Sequence, residues 1–541
     1  MATVTSSPWL AASGQYHPRL LTAAMALNEN DLPRAEPLLR QHLKDDPFDV
    51  AAIRMFAELA GRIGRYRDAE NLLRRALELS PAFTAARANL ALVLYRQNRP
   101  AEAIAELEQV TAEDPDNPGH ANLAAAAFGR IGEFDEAIGL YEKVLEQAPN
   151  QPRVWMSFGH MLKTVGRQAD GVAAYRQAID LAPQLGEAWW SLANLKTVRF
   201  SADDITAMEQ QLARTDLAED DRFHLDFALG KALEDRGAAA ASFAHYAAGN
   251  DLRRAGLDYD AGEMSMFVDR LIALCTSEFF AAREDQGCDA PDPVFIVGMP
   301  RAGSTLVEQI LSSHSQVEGT SELPDIPAMA RSEATYPEGM AAFTAQRLRE
   351  LGEEYLQRTR IQRKSGKPFF IDKLPNNWLH TAFIRLILPR AKVIDARRHP
   401  LGCCFSNFKQ HFAKGQAFTY SLDDMGRYYA DYVRLMAHLD AVQPGRVHRV
   451  IYERMVDDTE AEVRALLGFC GLDFEPTCLA FHETERAVRT ASSEQVRRPI
   501  FREGTEAWKP FEQWLGPLKA ALGPVLETYP AAPAFCVSKP L

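Results

Sequence analysis

A period of 34 residues governs the first third of this 541-residue chain. Pro47, Pro81, Pro115, Pro149 and Pro183 fall on it; so do Asn30, Gly64, Asn98, Gly132 and Gly166; so do Ala35, Ala69, Ala103, Ala137 and then Gly171. Three tracks at one spacing mean one structural unit copied along the chain. Each unit reads as helix, Gly or Asn turn, helix, Pro. Gly and Asn accept the left-handed backbone of a tight helix–helix turn, and small residues let the two helices approach closely. Pro follows where a helix cannot continue. A unit of this size cannot bury its apolar face alone, so neighbours must stack.

The period, and the segment Glu-Phe-Asp-Glu-Ala-Ile-Gly-Leu-Tyr at 133–141, resemble tetratricopeptide repeats. Five units span about residues 14–183, and a sixth first helix covers 184–197, where Trp189 and Trp190 are expected to pack the end of the array. The resemblance implies an all-α superhelix over residues 14–200 whose concave face holds a peptide or protein. The alternative use of such an array is as a scaffold or dimerisation surface, which makes a homodimer one candidate. Residues 201–285 read as a helical connector with no chemistry assigned, opening on the N-cap pattern Ser201-Ala202-Asp203-Asp204. The Gly287-Cys288-Asp289-Ala290-Pro291-Asp292-Pro293 stretch marks a boundary, so a second domain is expected over 286–541.

That domain opens on Val294-Phe295-Ile296-Val297-Gly298-Met299-Pro300-Arg301-Ala302-Gly303-Ser304-Thr305-Leu306. The stretch predicts a short apolar strand, a tight Gly-containing turn and a helix over 304–314, with Leu306, Val307, Ile310 and Leu311 as its apolar stripe. A helix N-terminus presents unsatisfied N–H groups and partial positive charge, which suits phosphate. Arg301 adds a planar cationic fork; Ser304 and Thr305 add hydroxyls. Gly298 and Gly303 have the spacing of a Walker A loop, but Ser304 stands where its Lys is required, so a nucleoside triphosphatase is disfavoured.

Further strands are expected at 367–375, 391–398 and 449–453, alternating with helices at 376–388, from about 401, and at about 458–470. That alternation predicts an α/β domain with a mainly parallel sheet, whose ligands sit beyond the carboxyl ends of its strands. Arg301, Lys373, Arg398 and Tyr452 all fall at such ends, which together would make a phosphate-rich site. A net charge of −13 argues against general nucleic-acid binding. No apolar run is long enough to span a bilayer, and no signal peptide is seen. Seven scattered cysteines fit reduced thiols and a cytoplasmic setting, and no ligand cluster implies a metal.

The combination over about 291–515 resembles sulfotransferases that use 3′-phosphoadenosine 5′-phosphosulfate (PAPS). The likeness is greatest to the tyrosylprotein branch and to bacterial sulfotransferases fused to tetratricopeptide repeats. The resemblance implies a P-loop-like sulfotransferase fold. The family's 5′-phosphosulfate loop matches Pro300-Arg301-Ala302-Gly303-Ser304-Thr305, so Arg301, Ala302, Gly303, Ser304, Thr305 and Leu306 are expected to hold that group. Ala302 stands where Ser is usual and keeps only its backbone N–H as a donor. Arg398-His399-Pro400 with Ser406 matches the 3′-phosphate element, and Tyr452-Glu453 the Tyr-Glu-Asp strand end. The Ser492–Pro499 stretch matches the late loop over the cofactor, with Arg498 at its basic position.

The same resemblance implies the catalytic set: Glu322 as general base, Lys373, and Ser492 or its neighbour Ser493. An acceptor hydroxyl must lose its proton as it attacks sulfur, and charge grows on the oxygen that leaves; a carboxylate, an ammonium and a hydroxyl answer those needs. His314 and His399 are weaker candidates for the base. Trp508 and Lys509 are candidates for the cofactor's border, whereas Lys409, Arg385 and Arg390 read as solvated surface charges. The expected acceptor is a protein tyrosine; a carbohydrate or small alcohol is the second reading, and an interaction protein with an inactive transferase domain the third.

Overall fold

Every turn of the repeat is built on a left-handed residue: Asn30, Gly64, Asn98, Gly132 and Gly166 have φ of 56°, 79°, 61°, 87° and 88°. The alanine track is the contact surface of the helix pairs, with Ala35, Ala69, Ala103 and Ala137 all fully buried. A computed structural model describes residues 17–412, 415–488, 490, 492–500, 502 and 504–535. Positions 14–16 of the first predicted unit and Cys536 lie outside the described residues. The chain divides into two compact units, Met1–Met161 and Leu162–Leu541.

In the first unit the helix pairs are Pro18–Asn28 with Leu32–Asp45, Val50–Arg62 with Tyr66–Leu79, Thr84–Arg96 with Pro100–Glu113, and Pro118–Ile131 with Phe134–Gln147. Pro47, Pro81 and Pro115 each follow a second helix, as the pattern requires. Neighbouring pairs share one apolar seam, for example Ala57, Leu73, Leu90 and Leu94.

In the second unit the helical pattern runs on through Gln168–Leu181 and Gly186–Ala193. Trp189 and Trp190 are buried; Trp189 donates through Nε1 to the Pro183 carbonyl at 2.9 Å, and Trp190 packs on Phe227. Helices Ala202–Leu212, Glu219–Glu234 and Ala239–Ala255 follow. These are bound closely to the sheet-containing part. Asn250 Nδ2 donates to the Phe408 carbonyl at 2.9 Å, Arg254 Nε to Asp424 Oδ2 at 2.9 Å, and Phe243 stacks on Phe408 and Trp514.

The sheet has five strands, β1 (Pro293–Gly298), β2 (Val317–Ser321), β3 (Phe369–Lys373), β4 (Lys392–Arg397) and β5 (Val447–Ile451). Their order is β2-β3-β1-β4-β5 and every pairing is parallel. Parallel pairing requires helical crossovers that cover the sheet's faces, and β1 is accordingly buried along its whole length. One face packs Ile296, Ile394 and Val450 against Val307, Ile310 and Leu466. Asp395 on β4 is fully buried and accepts from Arg397 Nη2 and Arg449 Nε, both at 2.9 Å, and from the Tyr432 hydroxyl.

Four local expectations change. β2 is a strand that its sequence did not announce: it is short, contains Gly319, and its register shifts between Gly319 and Ser321. The predicted helix at 376–388 is a 3-10 segment, Pro375–His380, leading into Thr381–Ile387. Tyr452 opens the helix Tyr452–Asp457 rather than ending β5. Arg385, expected in solvent, is buried: its Nη1 donates to the Pro389 carbonyl at 2.6 Å and to that of Ala391 at 3.4 Å, serving carbonyls beyond its own helix. Arg390 is exposed and pairs with Asp289, as expected. Among the described residues no helix is long and apolar enough to cross a membrane.

Candidate active site

The carboxyl ends of all five strands supply the candidate residues, and the sheet order sets them side by side: Glu322 after β2, Lys373 on β3, Arg301 after β1, Arg398 after β4 and Tyr452 after β5. The chain reverses its direction of winding across β1, where open parallel sheets place ligands. Sequence proximity could not give this order.

The loop between β1 and the helix Ser304–Ser312 is held from below. Asn407 Nδ2 donates to the Pro300 carbonyl at 2.7 Å, and the Cys403 thiol does so at 3.3 Å. Two glycines fit because nothing larger can. A Cβ on Gly298 would lie 2.3 Å from the Ala396 carbonyl oxygen, and one on Gly303, at φ 102°, would lie 2.9 Å from the Tyr452 ring. Arg301 itself is left-handed at φ 65°, a conformation that a side chain disfavours. That backbone aims its guanidinium across the site: Nε donates to Ser406 Oγ at 3.2 Å, Nη1 to Ser492 Oγ, and Nη2 to Gln495 Oε1 at 3.1 Å. One arginine thus ties together the loop, the Pro400–Phe408 helix and the late loop.

Arg398 lies beside it. Its Nη1 donates to the Arg301 carbonyl at 3.3 Å, its Nη2 to the Gly504 carbonyl, and its guanidinium lies over the Tyr452 ring, 4.9 Å from the centroid. Its Nε is buried without a hydrogen-bond partner. Burial pushes Arg301 down to about 10, and the charge on Arg398 adds to the effect. The named hydrogen-bond acceptors of these two cations are hydroxyls, an amide and carbonyls, so an anion would supply charge that the protein leaves to be met.

A cavity of about 270 Å³ opens on these groups. Arg301, Gly303, Ser304, Thr305, Leu306, Arg398, Ser406, Tyr452, Ser492 and Arg498 all line it, with Arg498 exposed. Ala302 does not: it is buried, and its N–H donates to the Met299 carbonyl at 3.2 Å, closing the turn. The backbone donor expected there is already engaged. Trp508 borders the cavity and stacks on His399, while Lys509 pairs with Glu506. Lys409, expected in solvent, lines the cavity and bonds Glu234 Oε1 at 2.6 Å.

Beside the loop, Lys373 Nζ donates to Glu322 Oε1 at 2.5 Å and stands 4.0 Å from Glu308 Oε2. Lys373 and Glu308 are buried, whereas the Glu322 side chain is about half exposed. Glu308 is also held by Arg486 Nη1 at 3.1 Å. A carboxylate reachable from solvent therefore rests on a buried ammonium. His314 is fully buried, with Nε2 bonded to the Asp473 carbonyl at 3.0 Å, and serves the loop behind the helix. His399 is committed to its stack with Trp508, and burial holds its imidazole below the usual range. Ser493 is buried, so Ser492 is the serine that meets Arg301.

Sequence reasoning missed a whole wall of the cavity. Trp190, Lys196, Lys231, Glu234 and Tyr246 come from the helices ahead of the sheet. No motif marks them; they are separated in sequence and belong to segments whose periodicity reads as packing alone.

Comparison with known proteins agrees with this architecture. Residues 293–476 match the sulfotransferase family, and residues 64–127, 120–154 and 152–185 match tetratricopeptide-repeat families. An uncharacterized protein of Aquifex aeolicus (strain VF5) is 32% identical over 328 residues, 58% of this chain and 43% of its own length. This chain therefore spans less than half of that relative. A Caenorhabditis briggsae protein named "Putative protein-tyrosine sulfotransferase" is 23% identical over 225 residues, 40% of this chain and 80% of its own. The nodulation protein NoeE of Sinorhizobium fredii is 22% identical over 252 residues, 41% of this chain and 59% of its own. The chain carries a sulfotransferase-family domain behind a run of tetratricopeptide repeats.

Proposed function

We propose that this chain transfers the sulfuryl group of PAPS to an acceptor hydroxyl, with a protein tyrosine as the acceptor. The observation that carries the reading is the pairing of Arg301 and Arg398 at one cavity, with Arg398 Nε buried and unpartnered. PAPS carries its activated sulfuryl group at the tip of an anionic 5′ chain and a second anionic group at the 3′ position. Arg301, Ser304 and Thr305, at a helix N-terminus, bind the 5′ end, and Arg398 with Ser406 binds the 3′-phosphate. Tyr452 and Arg498 wall the nucleotide.

Glu322 takes the proton from the acceptor hydroxyl, being both exposed and oriented by Lys373. Lys373 and Ser492 donate to the oxygen that gains charge as the bond to sulfur breaks; losing one such donor typically costs about 3 kcal/mol in the barrier. No protein nucleophile is needed, because the residues position and stabilise. The tyrosine acceptor rests on the name of the Caenorhabditis relative, and the repeats, whose arrays offer concave binding surfaces, recruit a peptide or protein.

Calorimetric titration with desulfated cofactor, 3′-phosphoadenosine 5′-phosphate (PAP), tests the reading: stoichiometric binding is expected, and its absence overturns it. Labelled PAPS offered with tyrosyl peptides and with glycans then tests the acceptor. Transfer to glycans alone would replace tyrosine by a sugar hydroxyl.

A further inference from the structure

Three lysines join the two arginines at this cavity. Lys196 follows the helix Gly186–Ala193, Lys231 lies on Glu219–Glu234, and Lys409 caps the helix that carries Ser406. All three line the same cavity as Arg301 and Arg398. Lys231 Nζ bonds Asp235 Oδ1 at 2.5 Å and Lys409 bonds Glu234, so each is anchored by a carboxylate on the Glu219–Glu234 helix or at its end. Lys196 is held differently. Its Nζ donates to Gln410 Oε1 at 3.3 Å, and its backbone is left-handed at φ 63°. Such a conformation in a non-glycine residue is disfavoured and clusters at functional sites.

Several cations gather around Lys196. Burial drives its ammonium well below the usual range, and Arg301, then Lys163, Lys409 and Lys231, push the same way. Lys196 and Arg301 line one cavity, so the two cations share a site. Carboxylates meet Lys231 and Lys409, whereas the named acceptors of Arg301 and Arg398 are neutral, so a polyanion supplies charge that the cavity can use. PAPS is such a ligand, with a phosphate near two negative charges at its 3′ position and further charge on its 5′ chain. Two arginines alone leave much of that charge unmet.

We propose that the donor site is built in two halves, the second of which comes from the helices ahead of the sheet: Lys196 reaches to the nucleotide's anionic chain and Lys231 adds to the field, joined by Lys409 from the helix that carries Ser406. This rests on the reading of the cavity as a PAPS site and adds that the sulfotransferase domain holds its nucleotide incompletely without residues 186–255. The connector is thereby part of the binding site rather than a spacer.

The test is PAP titration of the full chain at several salt concentrations, for wild type, Lys196→Gln, Lys196→Arg and Lys231→Gln. Removing a buried charged partner should weaken PAP by about tenfold or more in Lys196→Gln. Binding in Lys196→Gln should also depend less steeply on salt than in wild type. Lys196→Arg should recover most of the affinity, and Lys231→Gln should show a smaller loss. Unfolding midpoints of each variant identify any that fail to fold, and Lys231→Gln then carries the test. PAP affinity within twofold of wild type in both Gln variants overturns the proposal. Unchanged PAP affinity with lost transfer to acceptor also overturns it, assigning the lysines to the acceptor. Failure of wild type to bind PAP refutes the underlying function instead.

Discussion

The pairing of Glu322 with Lys373 separates chemistry from stability, and two substitutions expose the difference. Lys373 is buried between an exposed carboxylate, Glu322 at 2.5 Å, and a buried one, Glu308 at 4.0 Å. Glu322→Gln leaves Glu308 in place. At 4.0 Å and an effective dielectric of about 20, that remaining pair has about 4 kcal/mol of gross attraction before desolvation. The amide can still accept from Lys373, so the folded state should lose only about 1 kcal/mol. Glu308→Gln instead strips a fully buried charge from both Lys373 and Arg486, and loss of one member of such a cluster costs about 3–5 kcal/mol. Turnover behaves oppositely for the first variant. If Glu322 takes the acceptor's proton, Glu322→Gln should lower kcat by about 10²–10⁴-fold with PAP affinity nearly unchanged. The measurements are urea midpoints, PAP calorimetry, and transfer from labelled PAPS to a tyrosyl peptide. Turnover of Glu322→Gln within threefold of wild type refutes the base assignment. A larger loss of stability in Glu322→Gln than in Glu308→Gln refutes the energetic reasoning, whatever the turnover.

Gly303→Ala should abolish PAP binding with little effect on the repeats, because its Cβ meets Tyr452 at 2.9 Å and its φ of 102° resists a side chain; a variant that binds PAP within threefold of wild type refutes this. Asp372 gives a pH signature: burial pushes its carboxyl up to about 8, with the Tyr355 hydroxyl, at 2.9 Å, opposing. Between the unfolded value of about 3.9 and about 8 the folded chain binds the extra proton, so this group's contribution makes stability fall as pH rises through that window. Asp372→Asn should flatten that fall between pH ~5 and ~8 in urea midpoints, and equal slopes in the two proteins would show that the acid is not held protonated.

Much of this arrangement was legible in residues whose roles are local. The left-handed turns could be read from Asn30, Gly64, Asn98, Gly132 and Gly166 because backbone conformation restricts residue choice. The loop could be read because an apolar strand, Gly298, Gly303 and an amphipathic helix stand in one short stretch. Arg398 stands two residues ahead of the Pro400–Phe408 helix and Ser406 stands on it, and both line the cavity. What escaped depends on distant parts of the chain. Glu308 reads as one more polar residue of an amphipathic helix, yet it is a buried counter-charge for Lys373 and Arg486. Lys409 and Arg385 read as surface charges because burial of a cation is decided by carboxylates and carbonyls elsewhere, here Glu234 and the end of a helix. Ala302 was assigned a free N–H because the turn's internal bond to Met299 depends on its fold, not on its composition.

The sheet order also carries a kinetic consequence. β1 emerges from the ribosome before either of its partners: Val294 pairs with Ile371 on one side and Lys392 on the other, and β4 then waits for Val447. Parallel pairings over such separations close slowly, whereas helix pairs form from local contacts. During synthesis, the helix ahead of Lys196 and the helix that carries Lys231 can form while the loop after β1 still lacks its flanking strands. On this order the helical half of the cavity can form first, with the arginine half assembled against it.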